Sequence, residues 1–132
     1  MVFTGKGRPK LVIGVDFDQT IAKTKYPTII KPKFLAIPVL KWLKRRHTII
    51  LWTCRVDKHL DSAVGWCDKQ GVSFHHINNN CFDRIKKYGG DCRKLSCDIL
   101  VDDMAGFVFW PWVVVRVLIK EVKLRASTRK RT

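Results

Sequence analysis

The sequence predicts an α/β fold, a three-layer sandwich with a parallel, Rossmann-like sheet and no large cap domain. Two observations lead to this prediction: apolar runs of strand length recur along the chain, and segments with helical apolar spacing lie between them. Parallel strands need such helical crossovers, which place helices on the faces of the sheet. The predicted strands are 11–17, 48–53, 72–77 and 98–101, and the predicted helices are 34–46, 57–70 and 110–125.

The first strand is nearly all apolar, which is typical of a strand buried on both faces. Residues 22–33 follow with two prolines and four lysines, which predict an irregular loop or a short hairpin. In the first helix, Pro38 is tolerated only in the first turn, so the helix should begin near Ala36 or Ile37.

The second helix, 57–70, has a candidate N-cap in Asp57 and a candidate C′ residue in Gly71. It leads into the third strand, where His75 and His76 are adjacent. Neighbouring strand residues face opposite sides, which favours a structural role over a shared metal site. The last segment is ambiguous, since its valine run favours a strand and its position after a strand favours a helix. We expect a helix.

The length of 132 residues suits one domain. We expect a flexible basic arm at 1–10, the domain itself at 11–125 and a disordered basic tail at 126–132. The sequence does not indicate an oligomeric state.

The charge is strongly unbalanced, with 26 Lys and Arg against 11 Asp and Glu, a net +15. Such an excess favours contact with nucleic acid or another polyanion, although a solvated basic surface is the alternative. No apolar run approaches the ~20 residues that span a bilayer, so we expect no membrane association. Five cysteines without a CxxC pair indicate reduced thiols and a cytoplasmic protein.

Acids and a hydroxyl stand where three predicted strands end. Asp16 lies near the end of the first strand and Asp18 directly after it, Thr53 ends the second, and the pair Asp102 and Asp103 follows the fourth. Ligands of parallel sheets bind at the carboxyl ends of the strands, so we expect these groups to meet. A carboxylate cluster of this kind suits Mg²⁺, which prefers oxygen ligands. One carboxylate would remain free to act as a nucleophile on phosphorus.

These segments resemble the motifs of the haloacid dehalogenase-like (HAD) hydrolase superfamily. The run from Val15 to Ile21 resembles its DxDxT motif, Ile50–Thr53 its second motif, and Ile99–Asp103 its fourth, a strand that ends in paired acids. Tyr26-Pro27, Leu51–Arg55, Trp66-Cys67 and Arg93–Leu95 are similar to small capless bacterial and phage members of unknown role. The resemblance covers residues 11 to about 120.

The resemblance implies a phosphatase that works on a phosphorylated substrate with Mg²⁺. By that resemblance Asp16 attacks phosphorus, Asp18 protonates the leaving oxygen and later activates water, and Thr53 and Lys94 contact the phosphoryl group. Thr20 and Arg55 would contact substrate. The metal would be held by Asp16, the carbonyl of Asp18, and Asp102 or Asp103. The acid role of Asp18 requires a raised pKa.

The sequence departs from the family pattern at three places. Gln19 stands where glycine is common, Lys94 lies only eight residues before Asp102, and no further acid or Asn follows Asp103 closely. Two alternatives to a phosphatase also remain. One is a binding or structural module of a nucleoprotein or virus-type assembly, and the other is phosphotransfer to an acceptor other than water.

Overall fold

A computed structural model of the chain describes residues 10–79, 85–86, 95–106 and 108–130. Its elements, in chain order, are β1 (Val12–Val15), β2 (Ala22–Lys25), β3 (Thr28–Pro32), α1 (Ala36–Arg46), β4 (Thr48–Leu51), α2 (Asp57–Lys69), β5 (His76–Ile77), β6 (Ile99–Val101) and α3 (Trp110–Lys130). A short 3₁₀ turn, Asp103–Ala105, follows β6.

The centre of the molecule is a four-stranded sheet with the order β5-β4-β1-β6. All of its pairings are parallel, and β1 lies between β4 and β6. Every residue of β1 is buried, as expected for a strand covered on both faces. The predicted α/β class with a parallel Rossmann-like sheet is therefore confirmed.

The main core lies on one face of this sheet. Ile13 and Val15 of β1 are fully buried there, in one apolar cluster with residues of all three helices. The opposite face packs Val12 and Ile50 against Leu95 and neighbouring side chains. A Cβ atom at position 14 would collide with the side chain of Leu95, so Gly14 permits this close approach.

A two-stranded antiparallel hairpin, β2–β3, is inserted between β1 and α1. This confirms the hairpin, one of the two structures expected for 22–33. Its inner face carries the buried residues Ala22 and Thr24, whereas Lys23 and Lys25 are exposed. The described residues form no large cap domain, so this hairpin is the element that borders the end of β1.

The helix boundaries agree with the sequence at α1, which begins at Ala36 with Pro38 in its first turn. The N-cap prediction for α2 is wrong, because Val56 occupies that position and makes no side-chain cap bond. Asp57 is the first helical residue, where its charge suits the helix dipole. Gly71 has a φ of 82° just after the helix, which confirms its role as the C′ residue.

Two further predictions differ from the structure in extent. The strand expected at 72–77 is only His76–Ile77 long. His75 lies outside it, and its Nδ1 atom accepts a hydrogen bond from the backbone N–H of Ile49, a structural role. The helix α3 continues to Lys130, so the prediction of disorder is wrong for residues 126–130.

A buried polar group joins α1 to α3. Glu121 of α3 accepts hydrogen bonds from Arg46 at 3.1 Å and lies 2.7 Å from Nε2 of His47. His47 Nδ1 in turn accepts from the backbone N–H of Leu11, just before β1. These contacts satisfy the carboxylate, which apolar residues alone would leave without partners.

No helix in the described ranges is both long and apolar enough to cross a membrane. Within the same ranges, Cys54, Cys67 and Cys97 are free thiols. The basic arm up to residue 9 lies outside the described residues.

Candidate metal and phosphate site

Three aspartates meet at the carboxyl edge of the sheet. Asp16 follows β1, and Asp102 and Asp103 follow β6, its parallel neighbour. The backbone N–H of Asp16 donates to the carbonyl of Val101 at 2.9 Å, which holds the two strand ends together. One carboxylate oxygen from each aspartate lies within 4.8 Å of those of the other two. The expected convergence of these acids from distant parts of the chain is confirmed.

The cluster strongly disfavours the charged form of Asp16. The pKa of this carboxyl is raised to about 7, chiefly by burial and also by Asp102 and Asp103, and a hydrogen bond from the backbone of Phe17 partly offsets the increase. A divalent cation among the three groups would offset both burial and repulsion. The all-oxygen donor set fits Mg²⁺, which binds through few carboxylates and retained waters.

The loop that carries Asp102 and Asp103 is held by local hydrogen bonds. Asp102 Oδ1 accepts from the backbone N–H of Met104 at 2.9 Å, and the N–H of Asp103 donates to Thr20 Oγ1 at 3.0 Å. Thr20 Oγ1 lies 3.4 Å from Asp103 Oδ1. The backbone carbonyl of Thr20 accepts a hydrogen bond from Nε1 of Trp110. Thr20 is fully buried, so the predicted substrate contact is wrong. Its hydroxyl instead holds Asp103 in place at the start of the loop that follows β6.

Asp18 lies in different surroundings from Asp16. Its two carboxylate oxygens accept hydrogen bonds from Nε and Nη2 of Arg55 at 2.8 and 2.7 Å, and Oδ1 also accepts from Thr24 Oγ1 at 2.7 Å. Burial raises the pKa of Asp18, but the bonds from Arg55 and Thr24 outweigh it and hold the pKa below its usual value. The expectation of a raised pKa is therefore wrong.

The side chain of Asp18 also lies outside the acid cluster formed by the other three aspartates. Its backbone carbonyl accepts no backbone hydrogen bond from the described residues. Metal binding through that carbonyl stays a prediction.

Arg55 is almost completely buried, and its guanidinium is occupied by the protein. Besides Asp18, it donates to the carbonyls of Pro27 and His59 at 3.2 and 3.3 Å. Its Cζ atom lies 5.0 Å from the ring centroids of both Phe17 and Tyr26. The prediction that Arg55 contacts substrate is wrong, since these contacts join Asp18 to the hairpin and to α2.

Thr53 lies at the same edge of the sheet, because the preceding residue, Trp52, donates its N–H to the carbonyl of Val15 at 2.8 Å. The N–H of Thr53 donates to Asn78 Oδ1 at 2.8 Å, and its hydroxyl accepts from the N–H of Arg55 at 3.1 Å. A contact of the half-buried Thr53 with a phosphoryl group stays a prediction. Lys94 lies outside the described residues.

Sequence reasoning missed two residues that shape the site, Thr24 and Asn78, and did not predict the contact that Gln19 makes. Thr24 bonds to Asp18, Asn78 holds the Thr53 loop, and Gln19 donates from Nε2 to the carbonyl of Thr24 at 2.7 Å. Gln19 has a φ of 60°, which explains why glycine suits this position elsewhere. Of the two missed residues, only Asn78 had a sequence signal, since asparagine tolerates the positive φ of 55° that it adopts here.

Comparison with solved structures reveals one similar protein. It is described as "Structure of the conserved protein coded by locus from Bacteroides thetaiotaomicron", and it shares 32% sequence identity with a TM-score of 0.75. The match covers 85% of this chain and 93% of that one. No protein-family model matches the chain, and no curated protein matches it significantly.

Proposed function

We propose that this chain, which belongs to the same family as the conserved protein of Bacteroides thetaiotaomicron, is a Mg²⁺-dependent phosphomonoester hydrolase of HAD-like type. The observation that carries the proposal is the convergence of Asp16, Asp102 and Asp103 at the carboxyl edge of a parallel sheet. The motif resemblance supports it, because these acids occupy the first and fourth motifs.

In the proposed reaction, a carboxylate oxygen of Asp16 attacks phosphorus and forms an aspartyl-phosphate. The ester oxygen leaves with its bonding electrons and takes up a proton from solvent, and the water that attacks in the next step returns a proton to solvent. A water molecule then attacks phosphorus, the bond to Asp16 breaks, and inorganic phosphate leaves with the carboxylate restored. Asp16, Asp102 and Asp103 would hold Mg²⁺, which when bound neutralises charge on the phosphoryl oxygens.

The surroundings of Asp18 refine its proposed role. A carboxylate bonded to Arg55 and Thr24, with a lowered pKa, is a poor proton donor to the leaving oxygen. It is ionised at neutral pH, so it can accept a hydrogen bond from the attacking water and orient it, while its lowered pKa makes it a weak base. Aryl phosphates, whose leaving groups need little protonation, should therefore react much faster than alkyl phosphates.

Among the described residues only the β2–β3 hairpin is inserted after β1, and none forms a cap domain, so we infer an uncapped site. An open site admits bulky phosphorylated groups. Together with the net charge of +15, this favours a nucleotide or a phosphorylated nucleic-acid end as substrate. A cytoplasmic location fits both the free thiols and such a substrate.

The test is a phosphatase screen of the full chain with Mg²⁺ and with chelator, over aryl phosphates, nucleotides, sugar phosphates and phosphorylated oligonucleotides. We expect Mg²⁺-dependent release of phosphate that Asp16→Asn abolishes. Asp61→Asn, an exposed aspartate on α2, is the matched control and should retain activity. Absence of turnover on every substrate with Mg²⁺ would contradict the proposal.

The excess of basic residues supports a second candidate, a binding module of a nucleoprotein assembly. Exposed lysines such as Lys23 and Lys25 on the hairpin would then contact nucleic-acid phosphates. Oligonucleotide binding that weakens steeply with salt, without any phosphate release, would favour this candidate. Transfer of the phosphoryl group to an added alcohol in preference to water would indicate phosphotransfer instead.

A further inference from the structure

The last helix, α3, is apolar on two opposite faces. One face contains Trp110, Val113 and Val117, which are buried in the main core. The other contains Trp112, Val115, Ile119 and Val122, which are between 40% and 65% exposed. At 3.6 residues per turn, the centres of the two faces are roughly 180° apart around the helix axis. We call the exposed set the outer stripe.

The outer stripe has the spacing of a helix-pairing surface. Its members are separated by three, four and three residues, the repeat with which helices pack side by side. Three of the four are β-branched, and stiff side chains of this kind suit interlocking with a partner helix. A helix that is apolar on both faces is normally covered on both. Contiguous exposed apolar surface of this kind marks an interaction site.

A groove at the N-terminal end of the stripe adds a place for an anchoring side chain. It has a volume of about 210 Å³ and is lined mainly by Leu100, Val108, Phe109, Trp112 and Arg116, and Asp102 of the acid cluster also lines it. Trp112 belongs to both the groove and the stripe. Pockets next to flat apolar surface are where interface anchors gain most of their binding energy.

The charges beside the stripe identify the chemistry of the occupant. Arg116 and Lys123 are exposed on the side of α3 next to the stripe, and Arg116 also lines the groove. Lys120 lies further round the helix on the same side. Glu121, the one acidic residue of α3, is buried against α1. A second copy of this chain would bring the same basic residues face to face, which is unfavourable. A helix with acidic residues beside its apolar stripe would meet them with opposite charge.

We propose that the outer stripe and groove bind an acidic amphipathic helix of another protein. The partner's apolar residues would pack on Val115, Ile119 and Val122, with one of them anchored in the groove beside Trp112. Its carboxylates would pair with Arg116 and Lys123. The proposed contacts are made by side chains of α3 and by none of the three clustered aspartates, although Asp102 also lines the groove. Binding can therefore be measured without phosphatase activity.

The test uses the full chain and two labelled synthetic helices with leucine at positions a and d. One has glutamate at the flanking e and g positions, and its matched counterpart has lysine there. We expect the acidic helix to bind, measured by fluorescence anisotropy, and the basic helix to bind at least roughly tenfold more weakly.

Two substitutions separate the surface from general effects. Ile119→Lys should weaken binding of the acidic helix by roughly tenfold or more. Ile30→Lys, at an isoleucine that is 52% exposed against 50% for Ile119, should leave it unchanged. The double substitution Arg116→Glu with Lys123→Glu should reverse the preference and favour the basic helix. Circular dichroism of each variant checks that the fold is retained.

Three results would overturn the proposal. The first is equal binding of the acidic and basic helices. The second is a wild-type dimer in sedimentation that Ile119→Lys dissociates, which would make a second copy the occupant. The third is binding to vesicles of anionic lipid, lost in Ile119→Lys, with no binding of the acidic helix.

Discussion

The aspartates Asp16 and Asp18 stand two positions apart in the sequence and lie in opposite electrostatic surroundings. Asp16 lies beside two other acids, and burial together with these acids raises its pKa to about 7. Asp18 lies beside Arg55, whose hydrogen bonds outweigh burial and lower its pKa. The side chains brought close by the fold, rather than position in the motif, determine which carboxylate ionises first.

The raised pKa of Asp16 predicts a specific dependence of stability on pH when no divalent ion is present. In the unfolded chain the pKa returns towards 3.8, so between pH 3.8 and about 7 the folded chain binds more protons. The free energy of unfolding therefore falls as the pH rises from 3.8 to about 7. The stabilisation linked to Asp16 is complete below pH 3.8 and is lost by the time the pH has passed about 7. At pH 8, Asp16→Asn should be more stable than wild type by about 1–2 kcal/mol.

Thermal unfolding in chelator at a series of pH values measures this difference. The gap between Asp16→Asn and wild type should close as the pH falls towards 4, and added Mg²⁺ should narrow it at pH 8. A gap that does not change with pH would show that Asp16 is not held in repulsive surroundings.

Arg55 offers a second prediction at the scale of one residue. Arg55→Lys keeps the charge but loses the two-pronged contact with Asp18 and the bonds to the carbonyls of Pro27 and His59. We expect a loss of about 2 kcal/mol in the free energy of unfolding at pH 7. Arg45→Lys, at an exposed residue of α1, is the control and should cost far less.

The same variant tests the pKa of Asp18. Because the pKa of Asp18 is lower in the folded chain than in the unfolded chain, Asp18 stabilises the fold at pH values above 3.8, its pKa in the unfolded chain. This stabilisation is lost as the pH falls through the pKa of the folded chain. The deficit of Arg55→Lys should therefore shrink in acid. Urea unfolding of wild type and Arg55→Lys at pH 7 and below pH 3 measures the difference in the free energy of unfolding at each pH. A difference of equal size at both pH values would show that it does not come from the ion pair.

At the scale of elements, two sets of buried polar contacts hold α3 in place. Glu121 is bonded to Arg46 and lies 2.7 Å from Nε2 of His47 at the end of α1. Trp110 ties the start of α3 to the carbonyl of Thr20, whose hydroxyl bonds to Asp103. The packing of α3 on α1 is thus connected to the loop that carries two of the candidate metal ligands.

Glu121→Gln should lower the free energy of unfolding by about 2–3 kcal/mol, because neutral amide bonds replace charge-assisted ones in a buried place. Lys123→Gln, two residues further along the exposed side of α3, should change it little. Urea denaturation of both variants measures the difference. Equal stability of the two would show that the buried contacts contribute nothing net.

At the scale of the whole molecule, the fold brings acids together that are more than eighty residues apart in sequence. Their mutual repulsion opposes folding until a cation binds among them. Mg²⁺ should therefore raise the melting temperature of the wild-type chain. At a hundredfold excess over the dissociation constant the gain is about 2.7 kcal/mol.

Asp102→Asn with Asp103→Asn should remove most of that gain while the Asp61→Asn control keeps it. Differential scanning calorimetry over a range of Mg²⁺ concentrations measures the shift. A melting temperature that Mg²⁺ raises equally in all three proteins would indicate general ionic effects instead of a site.

The sequence by itself determined the α/β class, the order of the principal strands and helices, and the meeting of Asp16 with Asp102 and Asp103. It could do so because apolar periodicity is local and because parallel strands share one carboxyl edge. Only the tertiary structure decided the roles of Thr20 and Arg55, the ionisation of Asp18 and the exposure of the second apolar face of α3. Those properties depend on which side chains from distant segments become neighbours, and no local pattern in the chain encodes such neighbours.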